Sequence, residues 1–355
     1  MHRLCIPFVL LFATGCGHTC AEKRAWDVYW KAPQSVAIPE TQSWVPLVKD
    51  ESGQLYLRAE SDATEVFLNV DTGFPQPVFE KSFARAHGIE CRRAKYTGKS
   101  QAGRFSFDMG ILPDLRIGTA AVEGVSAIFT DLPERYAVVP GHGSFRVDGI
   151  LGGAVLPAMR ARIDFARKRL SFGAVDLPAG AVILPLSKSD SGILLYVELR
   201  LARTNLLLIA DTGSNATILD EALMSKDGIT PVPGHAFAAF LGTQYRIKAG
   251  VVSECHLGAV SLRDRRFYFM ELDSSGWRRD VETVAHRSVH GVLGADLLSE
   301  FGAIIDYEQG CLILTQPPTK RVETNRRLPL PLATGWKWES MLCSPPLLSA
   351  AGARP

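Results

Sequence analysis

Two short segments of this chain share one form: Val66-Phe67-Leu68-Asn69-Val70-Asp71-Thr72-Gly73 and Leu208-Ile209-Ala210-Asp211-Thr212-Gly213-Ser214. In each, an apolar run ends in aspartate, threonine and glycine. The run reads as a buried strand, and the glycine marks a tight turn where backbones approach closely. A carboxylate at the end of a buried strand is costly unless something pairs with it. Each copy offers the other a partner. Further landmarks recur in the same order. Asp148-Gly149-Ile150-Leu151-Gly152-Gly153 follows the first copy, and His290-Gly291-Val292-Leu293-Gly294-Ala295 follows the second. Gly149 lies 78 residues beyond Asp71, and Gly291 lies 80 beyond Asp211. Ile163-Asp164-Phe165 and Ile305-Asp306-Tyr307 come next, each aspartate 15 residues past its glycine. Each copy closes on an apolar strand, Leu170-Ser171-Phe172 or Leu312-Ile313-Leu314. An internal repeat of two copies predicts a bilobal chain, not a solenoid.

A duplicated Asp-Thr-Gly, each copy followed by an apolar-apolar-Gly segment, resembles the pepsin-like and retropepsin-like aspartic proteases. The resemblance covers residues 53–316. It implies a mostly β fold of two homologous aspartic-protease-type β-barrel lobes with a cleft between them. It also implies that Asp71 and Asp211, one from each lobe, form a catalytic pair. Thr72 and Thr212 resemble the family's threonines, whose hydroxyls cross-link the two loops. Gly73 and Gly213 let the loops approach, and Ser214 belongs to the supporting loop. The implied substrate is a peptide or protein, and neither metal nor organic cofactor is called for.

Paired carboxylates carry chemistry because two of them a few ångström apart cannot both ionise easily. One pKa falls, the other rises, and the pair holds one proton over a pH window. That state suits amide hydrolysis by an activated water. Asp164 and Asp306 are duplicated too, but they sit between apolar residues before a turn and read as hydrogen-bonding structure. Ser214 follows the second Asp-Thr-Gly, whereas Phe74 follows the first. The expectation is that the Ser214 hydroxyl donates to the ionised pair while the Phe74 ring shields Asp71. Phe74-Pro75 also motivates a second reading, a catalytically silent bilobal module that binds a peptide or envelope protein. Flap-like hairpins are expected at Tyr96–Gly103 and Phe240–Tyr245. Short helices are expected over Phe79–His87 and Leu219–Lys226.

Other classes find little support. Lys and Arg number 39 against 37 Asp and Glu, so nothing general attracts nucleic acid. The basic runs Arg160-Ala161-Arg162 with Arg167-Lys168-Arg169, and Arg263-Asp264-Arg265-Arg266, read as solvated strand edges and turns, since no aromatic residue lies within any of them. Cys255-His256 stands without a Cys-x-x-Cys or His-Glu-x-x-His and reads as strand burial. No Gly-x-x-x-x-Gly-Lys-Ser/Thr and no Gly-x-Ser-x-Gly occurs. The seven cysteines determine no disulfide pairing by their spacing.

The repeat divides the chain into an N-terminal lobe, 43–178, and a C-terminal lobe, 179–318, with the boundary near Leu177-Pro178-Ala179-Gly180. Residues 22–42 read as a polar, proline-bearing linker, and 319–355 as a proline-rich tail carrying Trp336 and Trp338. Residues 1–21 read as a targeting segment: a positive start, an apolar stretch Leu4–Ala13 too short to span a bilayer, then Thr14-Gly15-Cys16. This resembles a bacterial lipoprotein signal in which Cys16 becomes the lipid-bearing residue. Ala13 departs from the usual leucine, and cleavage after Ala21 is the alternative. The expected location is the bacterial envelope, at the membrane by a lipid anchor. Cys16→Ser should release the protein from the membrane fraction or leave its signal uncleaved. A processed, membrane-bound Cys16→Ser product in fractionated cells would reject the anchor.

Overall fold

The computed structural model describes residues 3–5, 9–10 and 33–316, apart from 95–97, 101–102, 133–135, 174–179, 190–191, 241–242, 273–277, 279–280 and 283–284. Cys16, most of the signal and linker, residues 174–179 of the lobe boundary and the tail from 319 therefore lie outside the described residues.

In the first copy, β1 (Leu55–Ser61) and β2 (Thr64–Asp71) form a hairpin ending at Asp71. β3 (Val78–Glu80), β4 (Asp108–Ile117), β5 (Ala120–Thr130) and β6 (Gly149–Gly152) follow. Hydrogen bonding runs β1-β2-β6-β3-β5-β4, and β4 returns to β1, closing a barrel. The second copy repeats each step. Its strands are β7 (Leu195–Arg200), β8 (Asn205–Ala210), β9 (Ile218–Asp220), β10 (Thr243–Leu257), β11 (Val260–Met270) and β12 (Gly291–Leu293). The order β7-β8-β12-β9-β11-β10 closes back on β7. The fold is thus mostly β, two closed six-stranded barrels with the same strand order.

The apolar runs before the aspartates are continuous because both their faces are covered. Along β2, Val66, Leu68 and Val70 face the main core, while Phe67 faces a second cluster with Tyr56, Ala137 and Val139. Along β8, Leu206, Leu208 and Ala210 join the main core, and Leu207 and Ile209 a separate one. The apolar-apolar-Gly strands β6 and β12 run parallel to β2 and β8 respectively, with Gly149 opposite Leu68 and Gly291 opposite Leu208. A Cβ on Gly149 would overlap the Val78 carbonyl, and one on Gly291 the Ile218 carbonyl. Glycine is what lets this strand slide between its neighbours.

The lobes are joined by a six-stranded sheet built from both. Its order is Ser43–Pro46, Arg169–Phe172, Arg162–Asp164, Ile304–Asp306, Cys311–Leu314 and Val182–Pro185. The central pair is antiparallel, one strand from each lobe, with Ile163 opposite Ile305. Arg162 lies opposite Asp306 on one side of it, and Asp164 opposite Ile304 on the other. Ile163, Ile305, Leu170 and Leu312 belong to the same core cluster as the strands of both barrels. The repeated aspartates anchor turns: Asp164 accepts from Arg167 N–H, and Asp306 from Glu308 and Gln309 N–H. Helices form at Lys81–Ala86 and Ala222–Lys226, shorter than the expected stretches because Val78–Glu80 and Ile218–Asp220 pair as strands.

The basic runs differ from the expectation of solvated edges. Arg162 is buried and pairs with Asp306 at 2.6 Å, and Arg265 is buried against Glu300. Arg160, by contrast, is exposed and 3.8 Å from Glu308. Breaking a buried pair strands one charge in the interior. Arg162→Ala should therefore destabilise the fold by about 3–5 kcal/mol, whereas Arg160→Ala should change it by less than about 1 kcal/mol. Urea unfolding of the two variants checks this, and equal losses would contradict it.

Candidate active site

β2 ends in Asp71, and β8 delivers Asp211. Both side chains are fully buried and meet between the lobes. A Cβ on Gly73 would run into the Asp211 carboxyl, and one on Gly213 into the Asp71 carboxyl. Each carboxyl therefore lies against the other lobe's glycine, an approach that any side chain would block.

Within each loop the inner carboxylate oxygen is held by two backbone N–H groups. Gly73 and Phe74 donate to Asp71 Oδ1 at 3.0 and 3.0 Å. Gly213 and Ser214 donate to Asp211 Oδ1 at 2.8 and 3.2 Å. Between the loops, the threonines cross over. Thr72 Oγ1 donates to the Ala210 carbonyl at 2.6 Å and accepts from Thr212 N–H at 3.0 Å. Thr212 Oγ1 donates to the Val70 carbonyl at 2.6 Å and accepts from Thr72 N–H at 3.1 Å. Each hydroxyl uses its single donor and an acceptor lone pair on the opposite lobe, so all four contacts are compatible.

Burial raises the pKa of both aspartates. For Asp71, desolvation is joined by the charge of Asp211 and a hydrogen bond between the carboxyls, and the pKa stands well above the usual carboxylate range. For Asp211, desolvation pushes the value up to about 7, opposed by the hydrogen bond from Asp71 and by the loop N–H groups. The pair thus retains a proton to higher pH than an ordinary carboxyl, and its ionisations belong to the two together. Burial and the charges of both aspartates also push the Tyr307 phenol up.

One expectation about the loops is corrected. The Ser214 hydroxyl donates to the Ala216 carbonyl at 2.7 Å, so its proton is committed away from the pair. The local turn offers that carbonyl two residues on, whereas the backbone N–H groups already supply Asp211. Phe74 is buried beside its loop. Its ring is buried in a first-lobe cluster with Val78, Ala94, Phe107, Ile128 and Ile150. Of the flap-like segments, Gly98–Ser100 and Gly103–Phe105 pair antiparallel, as do Thr230–Phe240 and Thr243–Leu257. Residues 96–97, 101–102 and 241–242 within these expected flaps are outside the described residues. Cys255 is buried in β10, and burial raises its thiol pKa to about 12.

One participant was missed by sequence reasoning. Gln54, buried just before β1, donates through Nε2 across the lobes to the Gly213 carbonyl. The signal that could have found it is the repeat itself. Tyr56 pairs with Asn69, two residues before Asp71, and Tyr196 pairs with Ile209, two before Asp211. Gln54 therefore corresponds to Leu194, a polar residue where the other copy is apolar.

A crystal structure of an aspartic proteinase from Irpex lacteus is similar to this chain at 12% identity, with a TM-score of 0.43, over 78% of this chain and 98% of that one. No family model matches the sequence, and no curated protein matches it.

A carboxyl whose pKa is raised by folding keeps its proton where the unfolded chain has lost it. Its contribution to stability is complete below the unfolded value of 3.8 and is lost as pH rises through the folded one, about 7 for Asp211. The double variant Asp71→Asn, Asp211→Asn should therefore lose less stability than the parent between pH 4 and 8. Urea midpoints across that range report it, and parallel curves would contradict the raised values.

Proposed function

We propose that this protein is an aspartic endopeptidase that hydrolyses peptide bonds through a water activated by Asp71 and Asp211. The observation that carries this reading is the pairing of the two carboxyls, each against the other lobe's glycine. The threonine cross-link supports it, since it holds both loops in register. The singly protonated pair has both functions the reaction needs. Its ionised member takes a proton from water, which attacks the scissile carbonyl. Its protonated member donates toward the developing oxyanion, and the proton then passes to the leaving amine. Thr72, Thr212, Gly73, Gly213 and Ser214 hold the loops and touch no reacting bond.

The substrate we propose is a peptide or protein chain lying in the cleft, and the setting is the bacterial envelope, with the mature chain anchored through Cys16. Against the second reading, a silent binding module, stands the Phe74 ring, which packs in a cluster of its own lobe. With both pKa values raised by burial, the acid limb of activity should lie in the mildly acidic to near-neutral range.

Soluble protein lacking residues 1–21 should cleave an unfolded protein in a screen from pH 3 to 8. Asp71→Asn or Asp211→Asn should each lower kcat/KM by at least about 100-fold, the lower range for removing a general acid or base. Cleavage that persists unchanged in either variant excludes this pair, and an acid limb below pH 4 contradicts the raised pKa values.

A further inference from the structure

We propose that Gln54 is a positioning residue that acts across the lobe boundary to favour ionisation of Asp211. This rests on the endopeptidase reading for its meaning in turnover, but the geometry stands alone. The Gln54 amide donates through Nε2 to the Gly213 carbonyl. That carbonyl belongs to the peptide joining Gly213 to Ser214, and the N–H of the same peptide donates to Asp211 Oδ1 at 3.2 Å. A donor on the carbonyl end holds the peptide plane and polarises its N–H toward the carboxylate. Only the amide nitrogen of Gln54 can serve a carbonyl, so its orientation is determined by chemistry.

Tyr56 stands at the other end of the amide, with one O–H for two acceptors, so it serves Gln54 or Asp50 at a time. Tyr56 Oη lies 3.0 Å from Gln54 Oε1 and 2.9 Å from Asp50 Oδ2. Asp50 Oδ1 accepts from Gln54 N–H at 3.0 Å, from Ser52 N–H at 2.9 Å and from the Ser52 hydroxyl at 2.6 Å. The Tyr56 ring stacks on Phe67, their centroids 5.4 Å apart and their planes within 10°. Asp50, Tyr56 and Gln54 therefore form a braced arm from the first lobe that ends on the second lobe's aspartate loop. The repeat places Leu194 at the corresponding position of the second lobe, and its side chain has no donor to offer. The arm thus serves one aspartate of the pair and gives two loops of near-identical form different electrostatic support.

The sign of its removal follows. Less polarisation weakens the N–H bond to ionised Asp211, so the pair holds its proton to higher pH. The test uses Gln54→Leu, the residue that the repeat itself places at this point, and Tyr56→Phe, which keeps Gln54 but removes the hydroxyl beside its Oε1. Carbon-13 carboxyl titration of the pair, assigned with Asp71→Asn and Asp211→Asn, is run beside kcat/KM against pH. Gln54→Leu should raise the pair's first ionisation and the acid limb by about 0.3–0.7 pH unit, the range expected if one polarised bond is weakened by a fraction of its strength. Tyr56→Phe should move both by less. Unmoved titration in a folded Gln54→Leu protein, whatever its melting temperature, overturns the proposal. If Gln54→Leu does not fold, unmoved titration in Tyr56→Phe overturns it. A moved titration in a protein whose parent cleaves no peptide retains the positioning role and rejects the endopeptidase reading instead.

Discussion

The structure depends on keeping two carboxyl groups out of water and against each other. Isolated, either would be a heavy burden on the fold. Together they share a proton, and four backbone N–H groups and two threonine hydroxyls surround them. Much of the remaining architecture can be read as what this arrangement requires. The barrels supply stiff strands that end at the aspartates. The glycines of β6 and β12 let those strands be flanked closely. The joining sheet fixes one barrel relative to the other, so the loops meet in one register.

Duplication explains the symmetry, and the departures from it carry the individuality of the molecule. Phe74 and Ser214 differ in type: one packs inward and the other closes its own turn. The difference that reaches an aspartate lies at Gln54 and Leu194, well before either motif. An asymmetric proton distribution can thus arise from residues that no motif contains.

The fold was legible because the repeat placed strand, loop and closing strand in the same order twice, and closing a barrel requires little beyond that alternation. Asp71, Asp211 and both threonines were legible for the same reason: each has a double. What escaped was anything that depends on where a side chain points. The sequence cannot show that the Ser214 hydroxyl finds the Ala216 carbonyl before a carboxylate, because both lie within local reach. It cannot show that Arg162 in a basic run turns inward, because its partner Asp306 lies in the other lobe. Gln54 escaped because glutamine before a strand is ordinary until the opposite lobe is present.

The central pair of the joining sheet bears on how far each half could stand by itself. The sequence repeat aligns Ile163 with Ile305, Asp164 with Asp306 and Arg162 with Ile304. If two N-terminal halves associated edge to edge in this register, Arg162 of each would meet Asp164 of the other, giving two ion pairs. Two C-terminal halves would set Asp306 against Ile304 twice, leaving both carboxylates without a cation. At this edge the first half is charge-complementary to itself, and the second is not. The single polypeptide therefore joins two halves that are no longer interchangeable at their shared edge.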